Sequence, residues 1–435
     1  MKKKLIKKYK NLFPDFIINL YHNYLFFLDR KKKEKDYKQI LYETQTHYND
    51  VEKSIRNKGN SKINFASYVI FDSTFCGYGL MDLMLQNESK YSPKIVIIPD
   101  TSRGNINMIK QYKQTKDFFI NKYGEKYVLD GYNLDNNEFI DLSDQFDIVY
   151  CANPYDNMVN KIHSINYLRT KNILPIYISY GYHVDKYCYN SILPLLEISL
   201  FWKVFADNKI AYNDYKKYEL IHGKNVFLSG YAKMDQLEEF KKIQSSKKII
   251  VIAPHHTVNM ATLPLSNFKD NYDFILDLPK LYPEIKFIFR PHPLLFTTMI
   301  NEGIWTSEQV NEYIDKLKLL NIDYSIGGDY LKIFAQSDAI IHDCASFVAE
   351  YLYTGKPCCF FAKKDYKKYF SKIGKKCLKY HYITKNREEI CKFIEKNVLG
   401  ENDYLAKKRD SFVKSNLAIN YPNVSQIILD KITLV

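Results

Sequence analysis

Short apolar runs alternate with amphipathic stretches over most of the chain, and few of these runs show the polar alternation of a half-exposed strand. Strands without that alternation are typical of a parallel sheet that helices cover on both faces. The predicted strands are Ser67–Phe71, Lys94–Ile98, Asp147–Tyr150, Pro175–Ser179, Trp202–Ala206 and Asn225–Leu228, then Ile249–Ala253, Lys286–Phe289, Ala339–Ile341 and Cys358–Phe361. The pattern therefore predicts two parallel α/β units in series.

The charged stretch Glu238–Lys248 lies between the two series, and 435 residues exceed what one hydrophobic core usually serves. We predict an α/β fold of two Rossmann-like domains that face a cleft, at residues 61–236 and 237–415. A basic helical extension at residues 1–60 is expected to precede them. Ligands of open α/β sheets bind beyond the carboxyl ends of the strands, so the site is expected in the cleft.

The chain carries a formal charge of +14, from 63 Lys and Arg against 49 Asp and Glu, which favours a polyanionic partner. Six lysines fall within the first ten residues, and residues 30–33 form a second basic block. Between them, Phe16–Leu28 is too short to span a bilayer and lacks a signal-peptide cleavage site. These features predict a cytoplasmic protein, peripheral on the anionic inner face of the plasma membrane. A helix packed on the protein, with solvated lysines around it, is an equally good interpretation.

Metal cofactors and nucleic acids are both disfavoured as partners. The eight cysteines show no metal-ligand spacing and are interpreted as reduced thiols, so neither a structural zinc nor another cofactor is expected. No nucleic-acid recognition motif accompanies the basic charge, so nucleic acid is not expected as a partner.

Polar side chains collect where the strands of the second half end, and such ends should meet at one edge of the sheet. A single histidine there is more often structural, and Ser346 or Asp343 could instead cap the following helix. Two prolines fix the backbone around Arg290 and His292, which would present a donor and a cation to a phosphate. Cys344 is not expected to be a nucleophile, and a metal site would need further ligands that these turns do not obviously supply. The candidates are His255, His256, Arg290, His292, His342, Asp343 and Ser346.

The order and spacing of these turns resemble the CDP-glycerol glycerophosphotransferase family, which assembles teichoic acids and capsule polymers. Several motifs together carry the resemblance, which makes it far more specific than any one of them. They are residues 253–257 (APHHT), 289–293 (FRPHP), 337–347 (SDAIIHDCASF), Glu350 and 355–357 (GKP), with Gly230, Tyr231, Asp235 and 423–427 (NVSQI). The resemblance also implies a C-terminal helix, within residues 416–435, that packs back towards the first domain.

The resemblance implies a glycosyltransferase-B (GT-B) fold, a donor pyrophosphate held by the second domain, and no metal. It assigns the donor phosphates to His292 and Arg290, the pyrophosphate to Ser346 at a helix N-terminus, and the ribose hydroxyls to Glu350. The other residues on the donor side of the cleft are His255, His256 and Asp343.

The first half departs from the family at one motif. The family's acceptor-domain strand ends in His-Gly-Thr, whose histidine is thought to act as general base. Here the corresponding strand ends in Tyr180, Gly181, Tyr182 and His183. His183 is therefore the candidate base, with Tyr180 or a histidine of the second domain as alternatives.

Together these residues predict a transferase that moves an alditol phosphate from a CDP-linked donor to a hydroxyl of a surface polymer or lipid-linked glycan, with release of CMP. Such a step needs stabilisation of charge on the phosphoryl oxygens and help in deprotonating the nucleophile. The alternative within the same fold is a glycosyltransferase or epimerase that uses a nucleotide sugar. A basic nucleic-acid-binding module is the alternative of a different class.

Overall fold

The structure, a computed structural model, describes residues 15–59, 61–186, 191–240, 246–327 and 330–433. The first predicted basic block lies outside these residues. The strands are β1 Ile63–Val69, β2 Tyr91–Ile97, β3 Val128–Asp130, β4 Tyr132–Asn133, β5 Glu138–Phe139, β6 Ile148–Cys151, β7 Leu174–Ile178, β8 Lys203–Ala206, β9 Val226–Leu228, β10 Lys248–Ala253, β11 Ile285–Phe289, β12 Asp323–Tyr324, β13 Ala339–His342, β14 Cys358–Phe361 and β15 Tyr382–Thr384.

The α-helices lie mainly between consecutive strands, as crossover connections require. They are α1 Asp15–Asp36, α2 Lys38–Arg56, α3 Tyr78–Leu85, α4 Asn105–Tyr123, α5 Ile165–Leu168, α6 Leu196–Leu200, α7 Lys209–Tyr218, α8 Tyr272–Leu281, α9 Leu295–Asn301, α10 Ser307–Leu319, α11 Leu331–Gln336, α12 Phe347–Glu350, α13 Lys372–Cys377, α14 Arg387–Phe393, α15 Ala406–Asn416 and α16 Val424–Ile432.

The two large sheets are parallel throughout. The first has the strand order β3-β2-β1-β6-β7-β8-β9, and the second has the order β12-β11-β10-β13-β14-β15. Each order reverses once, at β1/β6 and at β10/β13, which is the topology of a doubly wound Rossmann-like sheet. The predicted pair of parallel α/β units is therefore confirmed.

All ten predicted strands are present, with ends that shift by a few residues. The predictions missed five strands, each two or three residues long. Of these, β3, β12 and β15 lie at the edges of the two large sheets, and β4 and β5 form a separate two-stranded sheet. A strand of two or three residues is too short to contain an apolar run that a sequence pattern can detect.

The N-terminal helices pack on the first domain. Helix α2 buries Leu41, Tyr48, Val51 and Ile55, which lie on one face of the helix. The Tyr48 hydroxyl donates a hydrogen bond to the carbonyl of Leu200 at 2.6 Å. Helix α2 is thus part of the first domain's core and not an appended extension. Among the described helices, none is both long enough and apolar enough to cross a membrane.

The C-terminal segment joins the two domains. The hydroxyls of Tyr182, in the first domain, and Tyr353, in the second, lie 2.6 Å apart, and both contact the carbonyl of Leu417. Helix α16 then packs against α3 of the first domain. The carboxylate of Asp235 accepts hydrogen bonds from the backbone N–H groups of Val424 and Ser425 at 3.2 and 2.6 Å, at the start of α16.

Gly230 allows this junction to close. It has φ +94°, and a Cβ there would lie 2.1 Å from the carbonyl oxygen of Ile419. We expect Gly230→Ala to destabilise the protein by about 1–3 kcal/mol more than Gly124→Ala, because it adds a clash to the backbone strain. Gly124 has φ +90° and open space around its Cβ position, so it reports the strain alone. Denaturant unfolding of both variants measures the difference, and equal losses of stability would contradict the tight junction.

Candidate functional site

The candidate site lies where the order of the second sheet reverses, between β10 and β13. Asp343 directly follows β13, and its carboxylate accepts hydrogen bonds from the backbone N–H of His255, after β10, and of Asn267, each at 2.6 Å. Asp343 is buried, and burial raises the pKa of its carboxyl to about 7 although both N–H groups favour the charged form. Both carboxylate oxygens are therefore used to hold two turns together.

Three histidines meet beside this carboxylate. The ring centroids of His255 and His256 are 4.4 Å apart, those of His256 and His292 are 4.1 Å apart, and those of His255 and His292 are 5.1 Å apart. The backbone N–H of His292 donates to the carbonyl of Pro254 at 2.9 Å, which fixes the second turn against the first. The turns after β10 and β11 thus converge as the sequence predicts.

His342 does not join this cluster, although it ends the neighbouring strand β13. Its ring lies against Phe360 and His381, with centroid distances of 5.5 and 5.3 Å, and it is buried. His342 was one of the candidate residues, but its ring is not part of the histidine cluster.

The clustered histidines are neutral near neutral pH. Burial, followed by the charge of Arg103, lowers the pKa of His256 to about 4. Burial, His256 and Arg103 together hold the pKa of His292 well below its usual range. Burial and these neighbouring charges therefore disfavour the cation that the sequence analysis expects at His292. The backbone N–H of Leu294 donates to His292 Nδ1 at 3.1 Å, so the proton of the neutral ring is on Nε2.

Arg103, in the first domain, is close enough to this cluster for its charge to lower the pKa of two of the histidines. It lies in the loop between β2 and α4 and is 43% exposed. Its Nε is 3.1 Å from Asp100 Oδ2, and its guanidinium lies 5.0 Å from the ring centroid of Phe71. The sequence analysis missed Arg103, although the strand-end argument applied to the first sheet would have found it.

Arg290 is placed differently from its predicted role. Its guanidinium donates to Ser325 Oγ at 2.8 Å and to the carbonyl of Gly327 at 2.7 Å, and it lies 5.5 Å from the ring centroid of Tyr330. The residue is buried. Arg290 therefore fixes the loop that follows β12.

Ser346 immediately precedes α12 and is half-buried. Its side chain makes no capping hydrogen bond to the helix. Asp343, the other candidate cap, directs its carboxylate to His255 and Asn267. Neither Ser346 nor Asp343 therefore caps α12.

Glu350, the last residue of α12, lies at the junction of the domains. Its carboxylate accepts hydrogen bonds from the hydroxyls of Tyr231, at 3.2 Å, and of Tyr330. Lys233 lies 4.4 Å from the ring centroid of Tyr330 and donates to the carbonyl of Ser73 at 3.0 Å. Burial raises the pKa of Glu350, and the charge of Lys233 opposes this shift. Lys233 is a second charged residue that the sequence analysis missed.

His183 is buried, with 1% of its surface exposed. Its Nδ1 lies 3.7 Å from a carboxylate oxygen of Asp207, which is itself fully buried. Its carbonyl accepts a hydrogen bond from Ser371 Oγ, in the second domain, at 3.1 Å. Tyr180 is half-buried, and its hydroxyl lies 3.2 Å from that of Tyr155. The second domain therefore covers the motif from which the base was predicted.

The histidine cluster has the spacing of a metal site, but two of its features oppose a bound cation. Possible ligand atoms of His255, His256 and His292 lie within 4.8 Å of one another, as three imidazole ligands would. However, the Leu294 N–H bond leaves the proton of His292 on Nε2, where a ligand would need a lone pair. The charge of Arg103 also opposes a cation at this position.

Solved structures with the same fold include enzymes of more than one kind. The wall teichoic acid polymerase TagF has a TM-score of 0.51 and 14% identity, over 94% of this chain and 97% of that chain. The UDP-GlcNAc 2-epimerase of Neisseria meningitidis bound to UDP-GlcNAc has a TM-score of 0.54 and 17% identity, over 85% and 99%. At such identities the likeness concerns the fold alone, and it confirms the predicted GT-B architecture.

Among curated proteins, no sequence matches this chain. Residues 208–434, just over half of the chain, match the family described as CDP-Glycerol:Poly(glycerophosphate) glycerophosphotransferase. The matched region contains the turns of His255, His292 and Ser346 and the junction around Asp235. The chain therefore belongs to the CDP-glycerol:poly(glycerophosphate) glycerophosphotransferase family.

Proposed function

We propose that this chain transfers glycerol phosphate from CDP-glycerol to a hydroxyl at the end of a poly(glycerophosphate) teichoic acid chain. The acceptor oxygen forms a bond to the distal phosphorus of the donor, the bond from that phosphorus to the bridging oxygen breaks, and CMP leaves with the electron pair. The acceptor's proton passes to a base. The observation that carries this proposal is the close cluster of His255, His256 and His292 beside the switch point of the second sheet, with the charge of Arg103 acting on it from the first domain.

The donor phosphates are assigned to this cluster. His292 Nε2–H and the Ser346 hydroxyl donate to phosphate oxygens, and His255 and His256 line the same side. Arg103 adds a positive charge from the opposite domain, where it can stabilise charge on the phosphoryl oxygens during transfer. His256 Nδ1 is buried without a hydrogen-bond partner among the described residues, which favours a bound group at this place.

Asp343 and Arg290 act mainly by holding the donor turns in place, because their polar atoms bond to backbone and side-chain groups of the domain itself. Glu350 is assigned to the ribose hydroxyls, on the family resemblance. Its present partners are the hydroxyls of Tyr231 and Tyr330, so a ribose hydroxyl would take the place of a tyrosine hydroxyl of the same chemistry.

The acceptor proton is assigned to His183. The carboxylate of Asp207 lies 3.7 Å from its Nδ1, so its negative charge favours a proton on Nδ1 and leaves Nε2 as the basic atom. Since Ser371 and its neighbours cover His183, the contact between the domains must open for the acceptor to reach it. Tyr180 and His256 are the alternative proton acceptors.

A metal-independent reaction is part of the proposal. With CDP-glycerol and a poly(glycerophosphate) acceptor, we expect the purified protein to release CMP and lengthen the polymer, and to do so in excess EDTA. The reason is that histidine N–H groups and Arg103 supply the stabilisation at the phosphates. Detection of free nucleotide by chromatography tests this.

Two results of that assay would contradict the proposal. Release of UDP from a UDP-sugar, without CMP from CDP-glycerol, would assign the chain to the nucleotide-sugar enzymes of this fold. Loss of turnover in EDTA and its recovery with a divalent ion would instead show that a metal takes part.

Donor binding and proton abstraction should be separable, because they are assigned to different domains. We expect His292→Ala and Ser346→Ala to weaken CDP binding about ten- to a hundredfold, the value of a charge-assisted hydrogen bond. Arg103→Ala should weaken it by less, since Arg103 is partly exposed. His183→Ala should leave CDP affinity unchanged and lower turnover about 10²- to 10⁴-fold. Calorimetry with CDP and the CMP-release assay measure the two effects.

Lys110→Ala is the matched control for Arg103→Ala, because Lys110 is an exposed cation on the following helix, α4. Lys110→Ala should change neither the affinity for CDP nor the turnover. Because His183 is buried, His183→Gln and thermal unfolding separate a lost base from a damaged fold. Near-normal turnover in a folded His183 variant would exclude His183 as the base and leave His256 or Tyr180. Unchanged CDP binding in both donor variants would exclude the donor site.

Peripheral association with the anionic inner face of the plasma membrane, where a lipid-linked acceptor would lie, is also proposed. Helix α1 exposes Tyr24, Phe27 and Leu28 and carries the exposed lysines Lys31 and Lys32. Exposed apolar side chains beside basic ones are typical of a helix that lies on an anionic membrane surface.

We expect the double substitution Phe27→Gln and Leu28→Gln to reduce binding to anionic vesicles at least about tenfold. The reason is that binding then no longer transfers two apolar side chains from water into the membrane. Flotation with vesicles measures the bound fraction. Tyr42→Gln, on α2 and 69% exposed, is the control and should bind normally. Equal vesicle binding by all three proteins would exclude α1 as the contact surface.

A further inference from the structure

A strongly basic segment follows β14 at the cleft side of the second domain. We call residues 363–379 the lysine-rich segment; it includes α13. It contains eight lysines, no arginine and a single carboxylate, that of Asp365. Six of the lysines are exposed, and they are Lys364, Lys367, Lys368, Lys372, Lys375 and Lys379.

In the part of the chain that the structure describes, no carboxylate pairs with the lysines of this segment. Among the described residues, none of its eight lysines lies within 4.0 Å of a carboxylate, whereas elsewhere in the second domain Lys392 pairs with Glu388 and Lys414 pairs with Asp410. Lys186, in the first domain, is close enough to Lys375 for the two charges to repel, and burial and this repulsion lower the pKa of Lys186. A concentration of like charge of this kind favours an anionic partner.

The lysine-rich segment lies between the donor site and the predicted acceptor motif. At its start, the charge of Lys363 acts on the carboxyl of Asp343, which holds the donor turns. In its middle, the backbone N–H of Ser371 donates to the carbonyl of Val184 at 2.8 Å, and Ser371 Oγ donates to that of His183. A polymer on this segment would therefore lie beside both halves of the cleft.

We propose that the lysine-rich segment binds the acceptor polymer, by contacting the phosphodiesters of the glycerol phosphate units behind the terminal hydroxyl. This inference rests on the proposed function for the identity of the polyanion. Lysine is a compact charge on a flexible stem, so a row of lysines binds successive phosphates without fixing one register. Such binding suits a polymer that must advance by one unit after each transfer.

A membrane surface fits the lysine-rich segment less well. Its apolar side chains Phe370 and Ile373 are buried, and Tyr366 and Tyr369 are half-buried. None of its large hydrophobic side chains is exposed, in contrast to Phe27 and Leu28 of α1. Membrane-bound helices generally insert apolar side chains beside their basic ones.

The test replaces four exposed lysines of the segment by glutamine and measures binding of poly(glycerol phosphate) at several salt concentrations, without CDP-glycerol. The affinity at low salt should fall at least about tenfold. The slope of log affinity against log salt should become shallower by about two to three, which is the change expected when four phosphate contacts to a flexible strand are lost. The substituted residues are Lys367, Lys368, Lys372 and Lys375.

A matched control removes the same charge from exposed lysines elsewhere in the second domain. These are Lys385, Lys396, Lys407 and Lys408, which also have no carboxylate partner among the described residues. The control should bind the polymer as the unmodified protein does. In turnover, the segment variant should show a raised KM for the polymer, with unchanged CDP affinity and an unchanged rate when a single glycerol phosphate is the acceptor.

Three results would overturn the inference. The first is a loss of polymer binding in the control equal to that in the segment variant. The second is unchanged polymer binding in the segment variant. The third is a segment variant that loses binding to anionic vesicles while it retains polymer binding. Failure of the proposed function is distinguishable, because it would appear as no CMP release by the unmodified protein. The polymer-binding result does not depend on that release.

Discussion

The candidate site depends on one buried carboxylate. Asp343 accepts hydrogen bonds from the backbone N–H groups of His255 and Asn267, which come from a different part of the chain. Burying a carboxylate is costly unless its oxygens are satisfied, so each of these bonds constrains the turns around it. Because β10 and β13 are neighbours at the point where the sheet order reverses, the constraint acts where a ligand of a doubly wound sheet binds.

The electrostatics of the site follow from burial. Three imidazoles in contact cannot all be charged, and burial together with Arg103 keeps the pKa of His256 and of His292 low. The cluster therefore offers N–H donors without burying several positive charges, while the positive charge of Arg103 stays partly in water. Under the proposed function, the donor pyrophosphate gains hydrogen bonds from neutral donors and attraction from a cation that stays partly in water. The lysine charges of the proposed polymer-binding segment are likewise exposed to water, so they would lose their solvation only when a polyanion binds.

Four tyrosines lie at the junction between the domains. Tyr182 and Tyr353 share the carbonyl of Leu417, and Tyr231 and Tyr330 donate to Glu350. Each ring fills the apolar interface while its hydroxyl satisfies a buried acceptor, which a phenylalanine could not do. The two domains are thereby held together through groups that also border the site.

The sequence by itself determined the central strands, the doubly wound class, the turns that carry His255, His292 and Ser346, and the family. Apolar runs, prolines and strand-end polar residues act over a few neighbouring positions, so they can be recognised locally. Only the tertiary structure decided that His342 turns away from the cluster, that Arg290 fixes a loop, that His292 is neutral, and that Arg103 and the lysine-rich segment border the cleft. These outcomes depend on burial and on contacts between residues far apart in the chain. A local sequence pattern cannot show which distant residues will be in contact.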